Sequence, residues 1–269
     1  KTSIDHPTIL ESVPTDEHFD IAFSVMQGQQ QKELLEAFKK LDTNILVLVG
    51  NNLEAEFCQN SILEKRPDLH LLFGFQNSAG HREEAKSIAA RLPVTKLFVG
   101  GLHNAASETD LVAIQKAFNP KDVKITPVDN MYAYYLCHVA EVMPYGYMCY
   151  KVDGNLKKLQ RRDIKTIMQA TKECFAYLKS TGIEVMPKGE DKFYNGGIKT
   201  YAMFLLYRIM SKTILGQLMV ADHCKNGIKE MIYIHKKFEE WRLQHKSIPM
   251  PTWDKISQYM PTDIDDIHC

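Results

Sequence analysis

The stretch Asn44–Glu54, NILVLVGNNLE, constrains this chain more than any other. Ile45–Val49 is five apolar residues without a polar interruption; then come Gly50, Asn51 and Asn52 and a helix-like segment. A strand with one wet face alternates polar and apolar residues, so an unbroken apolar run predicts a strand covered on both faces. FDIAFSV at 19–25 and LHLLFGF at 69–75 repeat the pattern. Between the strands, QQQKELLEAFKKL at 29–41 puts Leu34, Leu35, Phe38 and Leu41 on one helical face, and 54–64 suits a short helix. Such alternation predicts a parallel sheet with helices on both sides. Residues 96–99 and 123–126 read as weaker strands flanking a helix near 108–118.

From about Asp129 the strand signal fades and helical periodicity takes over. Ile164, Ile167, Met168, Cys174, Phe175 and Leu178 recur at helical spacing, and Thr181-Gly182 is a natural stop. Residues 199–220 and 225–245 read as two further helices, and Pro144 should kink or end the helix it sits in. The frequent methionines of this half read as core filler. The expected organisation is therefore an α/β domain over 1–128 and an all-α domain over 129–269, with a ligand cleft between them.

Lysine plus arginine and aspartate plus glutamate stand at 33 each, which gives no sign of a nucleic-acid or anionic-membrane partner. No apolar run approaches the ~18 residues of a membrane span. The six cysteines include no Cys-x-x-Cys, so the expectation is free buried thiols in a reducing cytoplasm.

Candidate chemistry lies at the strand ends, where open α/β sheets bind ligands. SVMQGQQ follows one strand and VGNN the next; their amides can both donate and accept, which suits ribose hydroxyls or a carboxamide. The competing reading is that Gly28, Asn51 and Asn52 simply make turns. Gly80, His81 and Arg82, after the third strand, could face an anion or form a solvated loop. The chain contains no Gly-x-Gly-x-x-Gly, no Walker-type phosphate loop, no His-Glu-x-x-His and no clustered metal ligands. In the helical half, His138 and Glu141 are three apart, as a structural pair or a functional one. His223 and Glu230 are seven apart and share a face.

In order and spacing, FDIAFSVMQGQQ, ILVLVGNN, GFQNSAGHREE, VDNMYAYYLCHVAEVMP, TGIEVMP, DHCKNGIKEMIYI and IPMPTWDKI resemble the ketopantoate reductase (2-dehydropantoate 2-reductase) family, in a divergent branch. The likeness spans nearly the whole chain. It implies a partial Rossmann-type parallel sheet followed by an all-α substrate or dimerisation domain. It implies reduction of a small 2-oxo acid to the 2-hydroxy acid with NADPH. Met26, Gln27, Gln29 and Asn51 would touch the cofactor, with Asn51 at the nicotinamide–substrate junction. Glu230 would contact the substrate and assist catalysis, and a homodimer is compatible with the family.

Two departures stand out. The chain starts at Lys1, so the family's glycine-rich opening unit is expected to lie before it. The family's catalytic lysine also has no counterpart: the motif register puts Leu136 there, or else Tyr135. Losing a positioned general acid costs ~10²–10⁴-fold in rate. His138 is the replacement candidate. The alternative is an impaired family member acting as a nucleotide-binding or interaction protein.

Overall fold

A computed structural model describes residues 8, 10–14, 16–83, 86–90 and 94–262; within 79–83 and 87–90 the description is of the main chain. Five strands form one sheet in the order β1 (Phe19–Val25), β2 (Thr43–Val49), β3 (His70–Gln76), β6 (Thr95–Gly100), β7 (Val123–Pro127). β1, β2 and β3 are parallel, but β6 pairs antiparallel with β3, through Phe73–Gly100 to Gln76–Leu97, and β7 runs parallel to β6. The sheet is thus mixed, where apolar content alone predicted a parallel one. The reversal follows from a feature read as loop: β4 (Ala79–Glu83) and β5 (Lys86–Ala90) form an antiparallel hairpin in place of a crossover helix. The His81 and Arg82 side chains lie outside the described residues.

The unbroken run in β2 is explained by burial on both faces. Leu46 and Leu48 join Leu35, Phe38, Cys58, Ile62 and Phe73 beneath α2 (Leu35–Lys40) and α3 (Ala55–Leu63). Ile45, Val47 and Val49 pack with Val99, Ile114 and Ile125 beneath α4 (Glu108–Lys116). The helix expected over 29–41 is two helices, α1 (Gly28–Glu33) and α2, broken at Leu34. Their burial demands differ. α1 turns the polar Gln31 inward, whereas α2 buries Leu35 and Phe38.

The helical half is built on α5 (Met131–Lys151). Fifteen of its 21 residues are buried, so it is apolar nearly all round and forms the domain's centre. It runs through Pro144 for seven more residues rather than ending there. α6 (Arg161–Ser180), α10 (Ile228–Gln244) and α11 (Pro251–Ser257) pack around it over Tyr147, Phe175, Phe238 and Trp253. At Gly146 α5 and α10 come close: a Cβ there would lie 2.5 Å from Met231 Cε on α10, so the methionine tip would have to move aside. The helix expected over 199–220 is α7 (Gly197–Met210), a short α8 (Ile214–Gly216) and a π turn at Gln217–Ala221. That expected over 225–245 is α9 (Asp222–Asn226) and α10, parted at Gly227.

Polar ties hold the two halves together. Tyr135 Oη donates to Gly74 O at 3.1 Å, and Tyr233 Oη donates to Glu54 Oε2 at 2.6 Å. Glu54 also pairs with Lys32 at 2.9 Å and Lys237 at 3.4 Å. The five described cysteines, Cys58, Cys137, Cys149, Cys174 and Cys224, are free and buried.

Candidate functional site at the strand ends

The carboxyl ends of β1, β2 and β3 point at α5, α9 and α10, and a cavity of about 550 Å³ lies between them. The strands supply Met26, Gln27, Gly50, Asn51, Phe75 and Gln76; the helices supply His138, Val142, Met219, His223 and Glu230. Its size suits a small-molecule site. A wider open groove of about 1010 Å³ along β1 and α4 has no such convergence of amides, imidazoles and a carboxyl.

The two asparagines after β2 have separate tasks. Asn52 is 1% exposed and belongs to the scaffold. Its Nδ2 donates to Gln31 Oε1 at 2.9 Å, and its Oδ1 accepts from Glu54 N at 2.9 Å. Gln31 in turn donates to Val49 O at 3.1 Å and Met26 O at 3.4 Å, so one buried amide network ties off the ends of β1 and β2. Asn51 faces the cavity and donates from Nδ2 to Glu230 Oε1 at 3.4 Å, a bond between sheet and helical halves 179 residues apart in sequence. Gly28 is needed for the same junction, because a Cβ there would lie 2.5 Å from Asn51 O. The turn reading and the site reading of this stretch therefore both apply, to different residues.

Met26, Gln27, Asn51, His138 and Glu230 all line the cavity. Gln29 does not; it lies behind Gln27, donating to Gln27 Oε1 at 2.6 Å, while its own Oε1 is buried with no hydrogen-bond partner among the described residues. Leu136 is buried in the helical core and Tyr135 is spent on Gly74, so neither occupies the place the motif register gave it. The α5 residues that face the cavity are His138 and, one turn on, Val142. Nor do His138 and Glu141 pair. Glu141 hydrogen-bonds Glu190; burial above all, and then that second carboxylate, hold its carboxyl well above the usual range.

Glu230 is 8% exposed. Burial raises its pKa, while His223 and the Asn51 amide work against the rise. His138 lies over Phe75, ring centroids 4.2 Å apart, and stacks with Tyr134 at 6.3 Å. Burial, assisted by the charge of His223, lowers its pKa to about 4, so at neutral pH it is a neutral imidazole that donates from one nitrogen only. His223 faces both Glu230 and His138 electrostatically. The sequence placed it on the face of Glu230 without giving it a role. The π turn just before it, which also presents Met219, is a distortion often found at functional sites and had no sequence signal. Gln76, Asn77 and Ser78 were likewise missed as cavity residues; Asn77 is held by Lys96 N, which donates to its Oδ1 at 2.6 Å.

No family model matches the sequence, and no curated protein matches it. Solved structures match nearly all of it. D-mandelate dehydrogenase, in a ternary structure with NADH and anilino(oxo)acetate, has a TM-score of 0.57 at 12% identity, over 92% of this chain and 76% of that one. 2-Dehydropantoate 2-reductase from Methylococcus capsulatus gives 0.56 at 13% identity, over 91% and 74%. Yersinopine dehydrogenase gives 0.62 at 10% identity, over 91% and 70%. At such identities the likeness is one of fold: a Rossmann-like sheet domain followed by an all-α domain.

Proposed function

We propose that the cavity binds the nicotinamide end of NADPH against the strand ends and reduces a small 2-oxo acid of the ketopantoate type to its 2-hydroxy acid. The Asn51–Glu230 bond carries this reading, because it places a neutral amide and a buried carboxyl from opposite domains at one point of one cavity. The residues fit that end of the cofactor. Gln27, Asn51 and Gln76 offer amides to a carboxamide or ribose, and Met26 and Val25 give an apolar surface. When bound, the reduced nicotinamide supplies hydride to the carbonyl carbon.

This chain's own residues position and protonate. Asn51 orients the Glu230 carboxyl. A raised pKa lets Glu230 donate a hydrogen bond to the keto oxygen over a wider pH range than an exposed glutamate could. His138, as a neutral N–H donor, is the second candidate contact, and His223 completes the proton-handling group beside Glu230. The overall balance is one hydride from the cofactor and one proton through this group to the new hydroxyl.

A second reading, a nucleotide-binding protein without turnover, has its own support: no lysine or arginine is among the described residues lining the cavity. Fluorescence titration with NADPH and NADH, followed by NADPH oxidation against a panel of 2-oxo acids including ketopantoate, separates the two. Binding with turnover that falls in Glu230→Gln supports the reductase. Binding without turnover of any panel member supports the second reading, and no binding of either cofactor overturns both.

A further inference from the structure

We propose that a second cavity, between α6 and the start of α7, binds a soluble oligophosphate of nucleoside-triphosphate size. The cavity has a volume of about 460 Å³ and shares no residue with the one at the strand ends. That volume falls in the range of small-molecule sites. Arg161, Lys165 and Lys172 line it from α6, and Thr200, Tyr201 and Phe204 from α7. No aspartate or glutamate is among its described lining residues. Nor does any of the three cations have a carboxylate partner among the described residues; Arg161 instead lies 5.6 Å over the Phe204 ring. The chain is balanced in charge overall, yet residues 155–212 carry twelve lysines and arginines against five carboxylates, and four of those five are engaged elsewhere. Asp163 pairs with Lys151 at 2.8 Å and Asp191 with Lys179 at 2.7 Å. Glu173 accepts from Thr252 N at 2.7 Å at the start of α11, and Glu190 is bonded to Glu141.

The spacing selects the ligand. Positions 161, 165 and 172 fall within about 40° of one another around a helix and span about 16 Å of its length. Like charges stacked on one face destabilise a helix, and no carboxylate of the described residues answers this row. A row of unopposed cations along a recess is matched by a chain of anionic groups. A single phosphate cannot meet both ends of the row, whereas an oligophosphate carrying a nucleoside is long enough to do so. The planar fork of Arg161 suits two-point contact with phosphate oxygens, and the lysines add point charges. Tyr201, 60% exposed at the cavity, offers an aromatic face on which a base can stack. The start of α7 is not what carries the site: Gly196 N donates to Thr200 Oγ1 at 2.7 Å, so that amide is already satisfied. A phospholipid headgroup presents the same phosphate chemistry, but a recess lined by two helices fits a free ligand better than the flat surface of a bilayer.

The test is isothermal titration calorimetry of ATP, and separately of inorganic tripolyphosphate, into the full chain with and without NADPH. The expected result is saturable binding of both that NADPH leaves unchanged. Lys165→Glu/Lys172→Glu should weaken both at least ~100-fold. Tyr201→Ala should weaken ATP ~10-fold and leave tripolyphosphate as it was. All three side chains are exposed, so circular dichroism and the melting temperature should be preserved. Lys165→Gln/Lys172→Gln, with a smaller effect in the same direction, serves if charge reversal disturbs the fold. Absence of saturable binding overturns the proposal, as does binding that survives both double variants. ATP displaced by NADPH overturns it in favour of the cavity at the strand ends. Binding to vesicles containing phosphatidylinositol phosphates, lost in the charge-reversed variant and with neither free ligand bound, overturns it in favour of a membrane surface.

Discussion

Glu230 is buried and Glu141 half-buried, and both carboxyls are held above the usual range, yet their surroundings separate them. Glu230 opens onto a cavity and meets an amide from the other domain and a histidine. Glu141 lies on α5 beside Glu190, near Tyr194 and Tyr207, and lines none of the cavities described above. A perturbed carboxyl marks a site only where space and convergent groups accompany it. Glu141 gives up charge chiefly because it is shut away from water, and then because its neighbour is like-charged; Glu230 keeps a carboxyl where a ligand can reach it.

The largest expected effect breaks the comparison at Glu230. Glu230→Gln keeps the shape and the Asn51 contact but removes the titrating proton. Turnover of a 2-oxo acid by NADPH should fall ~10²–10⁴-fold, with NADPH affinity little changed. Glu141→Gln should leave turnover as it is. Steady-state kinetics on both variants checks the contrast, and an equal loss in the two would end it.

Next comes the contrast between the two asparagines. Asn52→Ala removes a donor to Gln31 and an acceptor for Glu54 N in a buried network, and should cost about 1–3 kcal/mol in chemical denaturation. Asn51→Ala should cost less stability and lose ligand affinity instead. Reversed outcomes would exchange their roles.

Much of this was legible from the residues. A short unbroken run at 45–49, rich in β-branched residues and closed by Gly50, reads as a doubly covered strand, and Gly50-Asn51 at its end had to face a ligand edge or a turn. Glu230, next to apolar Met231 and Ile232, could have stood at a solvent rim or in a site, and only the structure shows it buried. The sense of β6 was not legible, because strand direction is set by the connection, and the β4–β5 hairpin carries no alternation to announce it. Nor was the phase of α5. Leu136 and His138 are two residues apart, which turns a side chain about 200° around a helix. Aligning motifs put the leucine at the site, but packing against the helical core claims it and leaves His138 to the cavity. The bond from Asn51 to Glu230 could not be read at all, since it depends on how the two domains dock.

His138 gives a smaller effect with the opposite sign of pH dependence to the glutamates. Its folded pKa, about 4, lies below the ordinary 6.5, so the unfolded chain binds the extra proton first. Stability must then fall as pH drops from about 6.5 to about 4. The limit is ~3 kcal/mol at about 1.4 kcal/mol per unit, less whatever solvent screens. His138→Asn should flatten that limb in urea denaturation at pH 7 and pH 4.5. An unchanged slope would mean that the imidazole is solvated enough to charge freely.

Glu141 closes the series with the smallest effect and the cleanest sign. Its folded pKa lies above the ordinary 4.5, so the native state holds a proton that the unfolded state has released. Its contribution is therefore present at low pH and lost as pH rises through the folded value. Glu141→Gln keeps a hydrogen-bond donor toward Glu190 without the cost of ionisation. It should stabilise the protein by on the order of 1 kcal/mol at pH 8 and by nothing measurable at pH 4. The same substitution at Glu230 should also lift alkaline stability, but only there should turnover be lost. Denaturation at the two pH values, set beside kinetics on the same preparations, separates a carboxyl neutralised by burial and a like-charged neighbour from one kept for a ligand.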